Sequence, residues 1–442
     1  MKPETINHYH LVGVAGVGMS ALAQALIAQG FSVSGSDRDY DSGKDLPVLR
    51  KLGKAGVRFV PQDGSGVGAD TTAVVVSTAI EDDNLDIAAA KKKDLPIIHR
   101  AELLARLVEG KQCVAVAGTS GKSTVTGMIG WILEQSGADP TVVNGAPVLN
   151  WVNSTNVGNV RSGNSDLWII EADESDRSFL KFFPDWAIIT NASTDHFSMD
   201  ETKELFKAFG AQAKKEVIGG IERPEFLWGF KPNVTFKGIT FEYKGVEFNL
   251  PLLGRHNAEN AMFAIVLCEK LGYELECIRS ALASFRGLQR RLEIIGTTED
   301  EDIMVVDDYA HNPAKICAAW QAVAPYYERV LVVWRPHGFG PLTKMMDELT
   351  DTFAKLMGLS DKLFVLPVYD AGGTADRRVD SNLLIDNLRA RKRTAYFVKD
   401  YKEAIAFVLQ EAREDDVVLI MGARDPDLPA LAREISAAIL HE

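Results

Sequence analysis

Along this chain, short and almost continuously apolar runs alternate with stretches whose apolar positions recur at helical spacing. The first third carries the strand-like segments His8 to Val14, Ser32 to Gly35, Ala73 to Val76 and Pro96 to Ile98. Cys113 to Ala117, Leu167 to Ile170 and Trp186 to Ile189 follow in the middle, and Ile303 to Val306, Val330 to Trp334, Leu363 to Leu366 and Val417 to Met421 in the last third. They predict buried strands. Between them, Leu22, Ala25, Leu26 and Phe31, then Val125, Met128, Ile129, Ile132 and Leu133, and later Ala261, Ala264, Ile265 and Leu267 predict helices with one apolar face. This strand–helix rhythm predicts an α/β fold with mostly parallel sheets. Arg100 to Leu107 reads as a helix leading to a polar break at Glu109-Gly110-Lys111, which places the first domain boundary there.

Length and composition narrow the picture. At roughly 150 residues per domain, 442 residues suggest three domains, expected at 1–108, 109–292 and 293–442. A hydrophobic share of 46% with 25% charged residues is that of a folded globular chain. The net charge of -13 argues against a surface built to neutralise nucleic-acid phosphates, so an anionic ligand must be held locally. Cys113, Cys268, Cys277 and Cys317 form no C-x-x-C pair and are expected to be reduced and buried. The N-terminus does not read as a signal peptide, and no run approaches the ~18 apolar residues of a membrane span. The expectation is a cytoplasmic protein without nucleic-acid or membrane partners, acting as a monomer or homodimer.

Candidate chemistry gathers after the strands. Gly118-Thr119-Ser120-Gly121-Lys122-Ser123-Thr124 lies between a strand and a helix, where backbone N–H groups and a helix N-terminus can wrap a polyphosphate. Lys122 would neutralise the β and γ phosphates and the Ser123 hydroxyl would ligate Mg²⁺. The general phosphate-loop pattern wants glycine where Val116 stands, so the loop is a variant. Glu171 directly follows a strand and suits a Mg²⁺ carboxylate, or else is a solvated loop acid. Glu174, Ser175 and Asp176 are less specific and can cap the next helix. His196 can reach a second metal or the reacting carboxylate, against the usual structural histidine.

Four further motifs stand out. Asn257 and Asn260 lie one turn apart and can meet the edge of a base, or Asn257 simply caps its helix. Arg290-Arg291 is a compact cationic pair suited to phosphate, or a solvated surface pair. Asp308-Tyr309-Ala310-His311-Asn312-Pro313 follows a strand and ends in a proline able to start a helix. The opening Gly13-Val14-Ala15-Gly16-Val17-Gly18-Met19-Ser20 is a βα nucleotide-type loop, although Ala15 interrupts the dinucleotide fingerprint and many α/β folds carry such turns without a nucleotide.

Taken together, the motifs at 118–124, 171–176, 190–196, 254–261 and 307–313 resemble those of Mur ligases in order and spacing, over nearly the whole chain. With Ser34-Gly35-Ser36-Asp37 and Ser77-Thr78-Ala79-Ile80, the opening loop is most similar to the branch that adds L-alanine or the murein tripeptide to UDP-N-acetylmuramate. The resemblance implies a Rossmann-like N-terminal domain for the UDP-sugar, a central P-loop ATPase domain, and a Rossmann-like C-terminal domain for the amine acceptor. It implies ATP and Mg²⁺ as cofactors, and an amide bond made through an acyl phosphate in peptidoglycan synthesis or recycling. Lys122, Glu171 and His196 would be catalytic, with Ser123, Glu171 and His196 at the metal. Gly118 to Thr124, Asn257, Asn260, Arg291, Asp308 and His311 would hold ATP. Gly13, Ala15, Gly16, Val17, Gly18, Met19, Ser20, Asp37 and Ser77 would hold the UDP-sugar, and Tyr309 and His337 the acceptor.

The chain departs from that pattern at several places. Ser120 stands where the branch usually has histidine, and the stretch Phe209 to Gly254 looks short. Gly338 and Pro341 stand where alanine-adding enzymes carry arginines, and Arg424 replaces a usual glycine. A Mur-type ligase activating another carboxylate outside cell-wall synthesis is the alternative. A non-catalytic nucleotide-binding protein is disfavoured by the intact Lys122, Glu171 and His196.

Overall fold

The computed structural model of the chain describes residues 7–193, 197–298, 302–370 and 377–440. By its internal contacts the chain divides into two compact units, Met1–Pro232 with Thr240–Pro251 and His256–Leu288, and Asn233–Ile239 with Leu252–Arg255 and Gln289–Glu442.

The first unit holds two main sheets. Strands β1 (His8–Val12), β2 (Ser32–Ser36), β3 (Arg58–Phe59), β4 (Thr71–Val76) and β5 (Ile97–His99) pair in the order β3-β2-β1-β4-β5, all parallel. Strands β6 (Gln112–Ala117), β7 (Thr141–Val143), β8 (Val160–Arg161), β9 (Leu167–Glu171), β10 (Trp186–Ile189) and β11 (Glu216–Gly219) pair in the order β11-β10-β6-β9-β7-β8. Only the β7–β8 pair is antiparallel. Within this sheet Ile189 of β10 lies across from Ala117 of β6, and Glu171 of β9 across from Val116. The loops after β6, β9 and β10 therefore leave the same sheet edge together, the strand-end crevice in which open parallel sheets collect ligands.

Helix Val17–Ala28 stops before the predicted Phe31. Gly30 takes φ +86°, its N–H bonds the Ile27 carbonyl (2.9 Å) and the Phe31 N–H bonds that of Leu26 (3.0 Å). This is a Schellman end, and Phe31 packs edge-on against Tyr9. Helix Arg255–Lys270 begins ahead of Asn257, so Asn257 lies inside the first turn and does not cap it. The stretch from Phe209 to Gly254 carries β11 and three more strands, β12 (Asn233–Thr235), β13 (Gly238–Tyr243) and β14 (Val246–Leu250), which pair in that order.

In the second unit, β15 (Glu293–Thr297), β16 (Ile303–Asp308), β17 (Arg329–Arg335), β18 (Lys362–Val365), β19 (Ala395–Phe397) and β20 (Asp416–Gly422) form a sheet in the order β15-β16-β20-β17-β18-β19. All pairs are parallel except β15–β16. The period-two geometry of a strand explains the apolar runs: Val306, Val332, Trp334 and Leu419 pack on one face, Val305, Leu331, Val333 and Ile420 on the other. A sheet covered on both faces needs apolar side chains at every position. Burial of each such side chain is worth about 2 kcal/mol. Of the four cysteines, Cys113 and Cys268 are buried, whereas Cys277 is exposed and Cys317 partly so. Cys277 corrects the expectation, because it lies on the outward side of the short helix Leu275–Ala283, whose buried positions are Ile278, Ala281 and Leu282.

Candidate active site

The phosphate loop is shaped by two glycines. Gly118 leaves β6 at φ +132° and Gly121 enters helix Lys122–Gln135 at φ +85°, conformations that L side chains rarely adopt. Its outer wall is the segment after β10: Thr119 N–H donates to the Asn191 carbonyl (3.1 Å) and Ser120 N–H to the Asn191 side-chain oxygen (3.0 Å), while Thr190 hydroxyl donates to the Ser120 carbonyl (2.6 Å). Thr119 Oγ1 accepts from Ser193 N–H (3.0 Å). The first intrahelical bond runs from Val125 N–H to the Gly121 carbonyl (2.9 Å), so the N–H groups of the first turn point out of the helix end. Such a loop and helix end form an anion cradle.

Lys122 folds back over this cradle. Its Nζ donates to the Gly118 carbonyl (2.9 Å) and to Glu174 Oε2 (2.7 Å), with Asp173 at 3.8 Å. Burial works against charge on Lys122, but Glu174, Asp173 and Glu171 outweigh it and raise its pKa, so it stays an ammonium. Burial pushes the Glu174 carboxyl up against the pull of Lys122. The cationic form of Lys122 wins, because Asp173 and Glu171 favour it as well. Glu174 is therefore not a helix cap. Asp176 is the member of that motif that serves the following turn, accepting from Ser178 N–H (2.9 Å).

Glu171 ends β9 with Oε2 accepting from Gly145 N–H (2.7 Å), and a Cβ on Gly145 would come within 2.5 Å of that oxygen. The adjoining Asn144 side chain donates to the Ser123 carbonyl (3.1 Å). One short loop thus ties Glu171 to the start of the phosphate-loop helix, where Ser123 is buried and Thr124 half-buried. Among the described residues no group of three or more His, Cys, Asp or Glu could hold a metal by itself. His196 lies outside the described residues.

Asn260 faces the same loop. A Cβ on Gly121 would run into its side chain, and Asn260 Nδ2 donates to Asn257 Oδ1 (3.1 Å), so both asparagines stand beside the phosphate loop.

The first glycine loop turns at Gly13 (φ +73°), whose N–H, like that of Val14, bonds the Ser36 carbonyl. Asp37 closes it. One carboxylate oxygen accepts from Ala15 N–H (2.9 Å) and the other from Asp39 N–H (2.9 Å). Burial raises the Asp37 carboxyl, opposed by those two bonds. Gly16 precedes the helix, Val17 is exposed, and Met19 and Ser20 are buried, Ser20 accepting from Asn159 Nδ2 (3.0 Å). Ser77 follows β4 and is half-buried. Gly18 lies under the Arg100 guanidinium, 3.0 Å from where its Cβ would be, and Arg100 also approaches Asp173 at 4.0 Å.

The second unit presents its own cluster at the ends of β16, β17 and β20. Arg290 bonds Asp307 (3.2 Å), the Gly422 carbonyl (2.6 Å) and the Asp425 carbonyl (3.4 Å), tying β16 to the turn after β20. Arg290 is thus structural, while Arg291 lies over the Tyr309 ring at 5.4 Å. Asp308 accepts from Leu292 N–H (2.8 Å). His311 stands edge-on to both Tyr309 (5.6 Å) and His337 (5.5 Å). Burial lowers the imidazole of His311 to about 4 and lowers that of His337 too, the charge of Arg424 adding to the latter. Pro313 starts helix Pro313–Val323 as expected, with Asn312 accepting from Lys315 N–H (2.9 Å).

Sequence reasoning passed over Asn144, Gly145 and Arg100 as site residues. None belongs to a motif, and the sole hint is their position after a strand, whereas Thr190 opens the motif at 190–196.

The chain is similar to known proteins over nearly its whole length. The chain matches the models described as Mur ligase family, catalytic domain, over residues 8–112, Mur ligase middle domain over 116–225, and Mur ligase, glutamate ligase domain over 290–424. It is 34% identical to UDP-N-acetylmuramate–L-alanine ligase of Methylobacterium nodulans, over 95% of each chain. It is 31% identical to the enzyme of that name from Carboxydothermus hydrogenoformans, over 94% of this chain and 93% of the relative. The crystal structure of UDP-N-acetylmuramate-alanine ligase from Thermotoga maritima superposes with a TM-score of 0.80 at 27% identity, covering 98% of this chain and 99% of that one. With its phosphate loop, strand-end carboxylate and paired asparagines gathered on one α/β scaffold, the chain belongs to the Mur ligase family of ATP-dependent acid–amino-acid ligases.

Proposed function

We propose that this chain uses ATP to activate the carboxylate of UDP-N-acetylmuramate and joins it to the amine of L-alanine, as its relatives' names describe, in peptidoglycan synthesis. The observation that carries the reading is the Lys122 ammonium, fixed over the phosphate cradle by Gly118 and Glu174.

A carboxylate is a poor electrophile. One of its oxygens attacks the γ-phosphorus of ATP as the bond to the ADP oxygen breaks, giving an acyl phosphate. The neutral amine adds to the acyl carbon, and the tetrahedral intermediate loses a proton from nitrogen and expels phosphate. Lys122 and the first-turn N–H groups face the charge spread over the transferring phosphoryl group, the largest effect open to such a site. The Ser123 hydroxyl and Glu171 carboxylate are hard oxygen donors that would hold Mg²⁺ alongside phosphate oxygens and water, its charge offsetting that of the phosphates. By resemblance His196 would serve the metal as well.

In this reading Asn257 and Asn260 flank adenine, and Arg291, Asp308 and His311 serve the nucleotide. The loop Gly13 to Ser20, with Asp37 and Ser77, takes the UDP-sugar, and Tyr309 and His337 take the acceptor. No helix among the described residues is long and apolar enough to cross a membrane. We assign the enzyme to the cytoplasm, as a monomer or homodimer. Phosphate release from ATP, measured with UDP-N-acetylmuramate and scanned over single amino acids and the murein tripeptide, tests the reading. Stimulation by L-alanine supports it; ATP turnover indifferent to any UDP-sugar sinks it. Gly338 and Pro341, in place of arginines, favour a second reading, a Mur-type ligase that activates another carboxylate outside cell-wall synthesis.

A further inference from the structure

We infer that Arg424 is the anchor for a carboxylate carried by the incoming amine, and so a specificity-determining residue of the acceptor site. The inference rests on the ligase reading above and deepens it.

Strand β20 ends at Gly422, and Asp425 N–H then donates back to the Ala423 carbonyl (2.7 Å), closing a three-residue turn centred on Arg424 at φ +60°. A turn of this kind with a positive φ at its centre is rare and strained for an L residue, and glycine is its natural occupant. Strain of this sort gathers at functional sites, where the surroundings over-determine the backbone.

Here the surroundings do so from every side. Arg290 holds the carbonyls of Gly422 and Asp425. The Arg424 N–H donates to the Tyr309 hydroxyl (3.2 Å), and Asp425 Oδ1 accepts from Asp427 N–H (3.0 Å). The Asp425 carboxylate also accepts from Arg335 and from Tyr401.

Two neighbouring cations are committed: Arg290 is paired with Asp307 and Arg335 with Asp425. Arg335 is also enclosed between the Tyr369 and Tyr401 rings, at 5.3 and 5.5 Å. Arg424, by contrast, is exposed and makes no ion pair among the described residues. It stands at the tip of a rigid turn, its charge acting on His337 in the aromatic group Tyr309, His311 and His337. A guanidinium presented in this way, at the carboxyl ends of parallel strands, matches a planar carboxylate. A nucleotide phosphate shares that chemistry, and the test separates the two.

Arg424→Gly installs the residue this backbone prefers, so loss of folding does not cloud the result, and Arg424→Lys keeps the charge without the fork. In the full-length enzyme, Arg424→Gly should raise KM for L-alanine about tenfold or more, the loss expected of a charge-assisted bond. KM for ATP should stay unchanged, the thermal midpoint should equal or exceed that of wild type, and Arg424→Lys should recover part of the loss. L-Alaninamide, which lacks the carboxylate, should be a poor substrate equally for both proteins. A rise in KM for ATP instead assigns the anion to the nucleotide and overturns the inference, as does no change in either constant. If wild type releases no phosphate with UDP-N-acetylmuramate and any amino acid, the substrate reading has failed separately. Calorimetric titration of wild type and Arg424→Gly with L-alanine, L-glutamate and the murein tripeptide, each against its carboxamide, then decides. Carboxylate-dependent binding lost in the variant sustains the anchor, and its absence overturns it.

Discussion

The Lys122 ammonium lies 2.7 Å from Glu174, and both side chains are largely withdrawn from solvent. The lysine that would face the transferring phosphoryl group is thus aimed by a carboxylate that need not touch substrate. Lys122→Ala should cut ATP-dependent phosphate release by about 10³-fold, the scale of losing a principal electrostatic contact. Glu174→Gln keeps the shape but not the charge, and should lower kcat by about tenfold while circular dichroism stays native. A Glu174→Gln enzyme with wild-type kcat would remove the aiming role.

Glu171 and Gly145 form a second such relationship. Because a Cβ on Gly145 would come within 2.5 Å of the Glu171 carboxylate, Gly145→Ala must move one or the other. The expected result is a rise in the Mg²⁺ concentration needed for half-maximal activity and a loss of kcat of about 10²-fold, with stability reduced by only about 1 kcal/mol. Activity titrations with Mg²⁺ and urea unfolding report the two effects separately.

At Gly121 two penalties combine, a positive φ and the Asn260 side chain. Gly121→Ala should destabilise by about 2 kcal/mol and abolish ATP binding measured by calorimetry. In an Asn260→Ala background the steric part disappears and only the backbone part remains, so the two substitutions should be non-additive in stability. Additivity would mean that the side chains do not meet.

The histidine cluster predicts a pH dependence. His311 Nδ1 lies 2.9 Å from the Tyr309 carbonyl, and burial lowers its pKa from 6.5 to about 4. The folded state therefore holds fewer protons than the unfolded chain between those values. The contribution of neutral His311 is complete above pH 6.5 and is lost as pH falls toward 4. With partial exposure discounted, it amounts to about 2 kcal/mol. His311→Gln should flatten the decline of unfolding free energy between pH 7 and pH 4.5; an unchanged slope would show that His311 takes no part in it.

Much of this protein was determined by its sequence alone. A parallel sheet buried on both faces demands uninterrupted apolar runs, so β6, β9, β10, β16, β17 and β20 are legible as strings of Val, Ile, Leu and Ala. The phosphate loop is legible as well, since a turn into a helix that leaves its N–H groups free needs glycine at fixed places.

Several short or edge strands were not legible, although the edge strand β5 was. The runs of β7 and β8 are too brief to outweigh their neighbours, and β11 to β14 filled a stretch that seemed merely short. Only the tertiary structure decided which carboxylate meets Lys122. Glu171, Asp173 and Glu174 are neighbouring acids along the chain; Glu171 ends β9 and meets Gly145, while the loop that follows the strand brings Glu174 to the lysine. It also decided that Arg290 is structural while Arg424 stands exposed. Charge is written in the sequence, but whether that charge is neutralised depends on which side chains the fold carries within a few ångströms, and no local pattern encodes that.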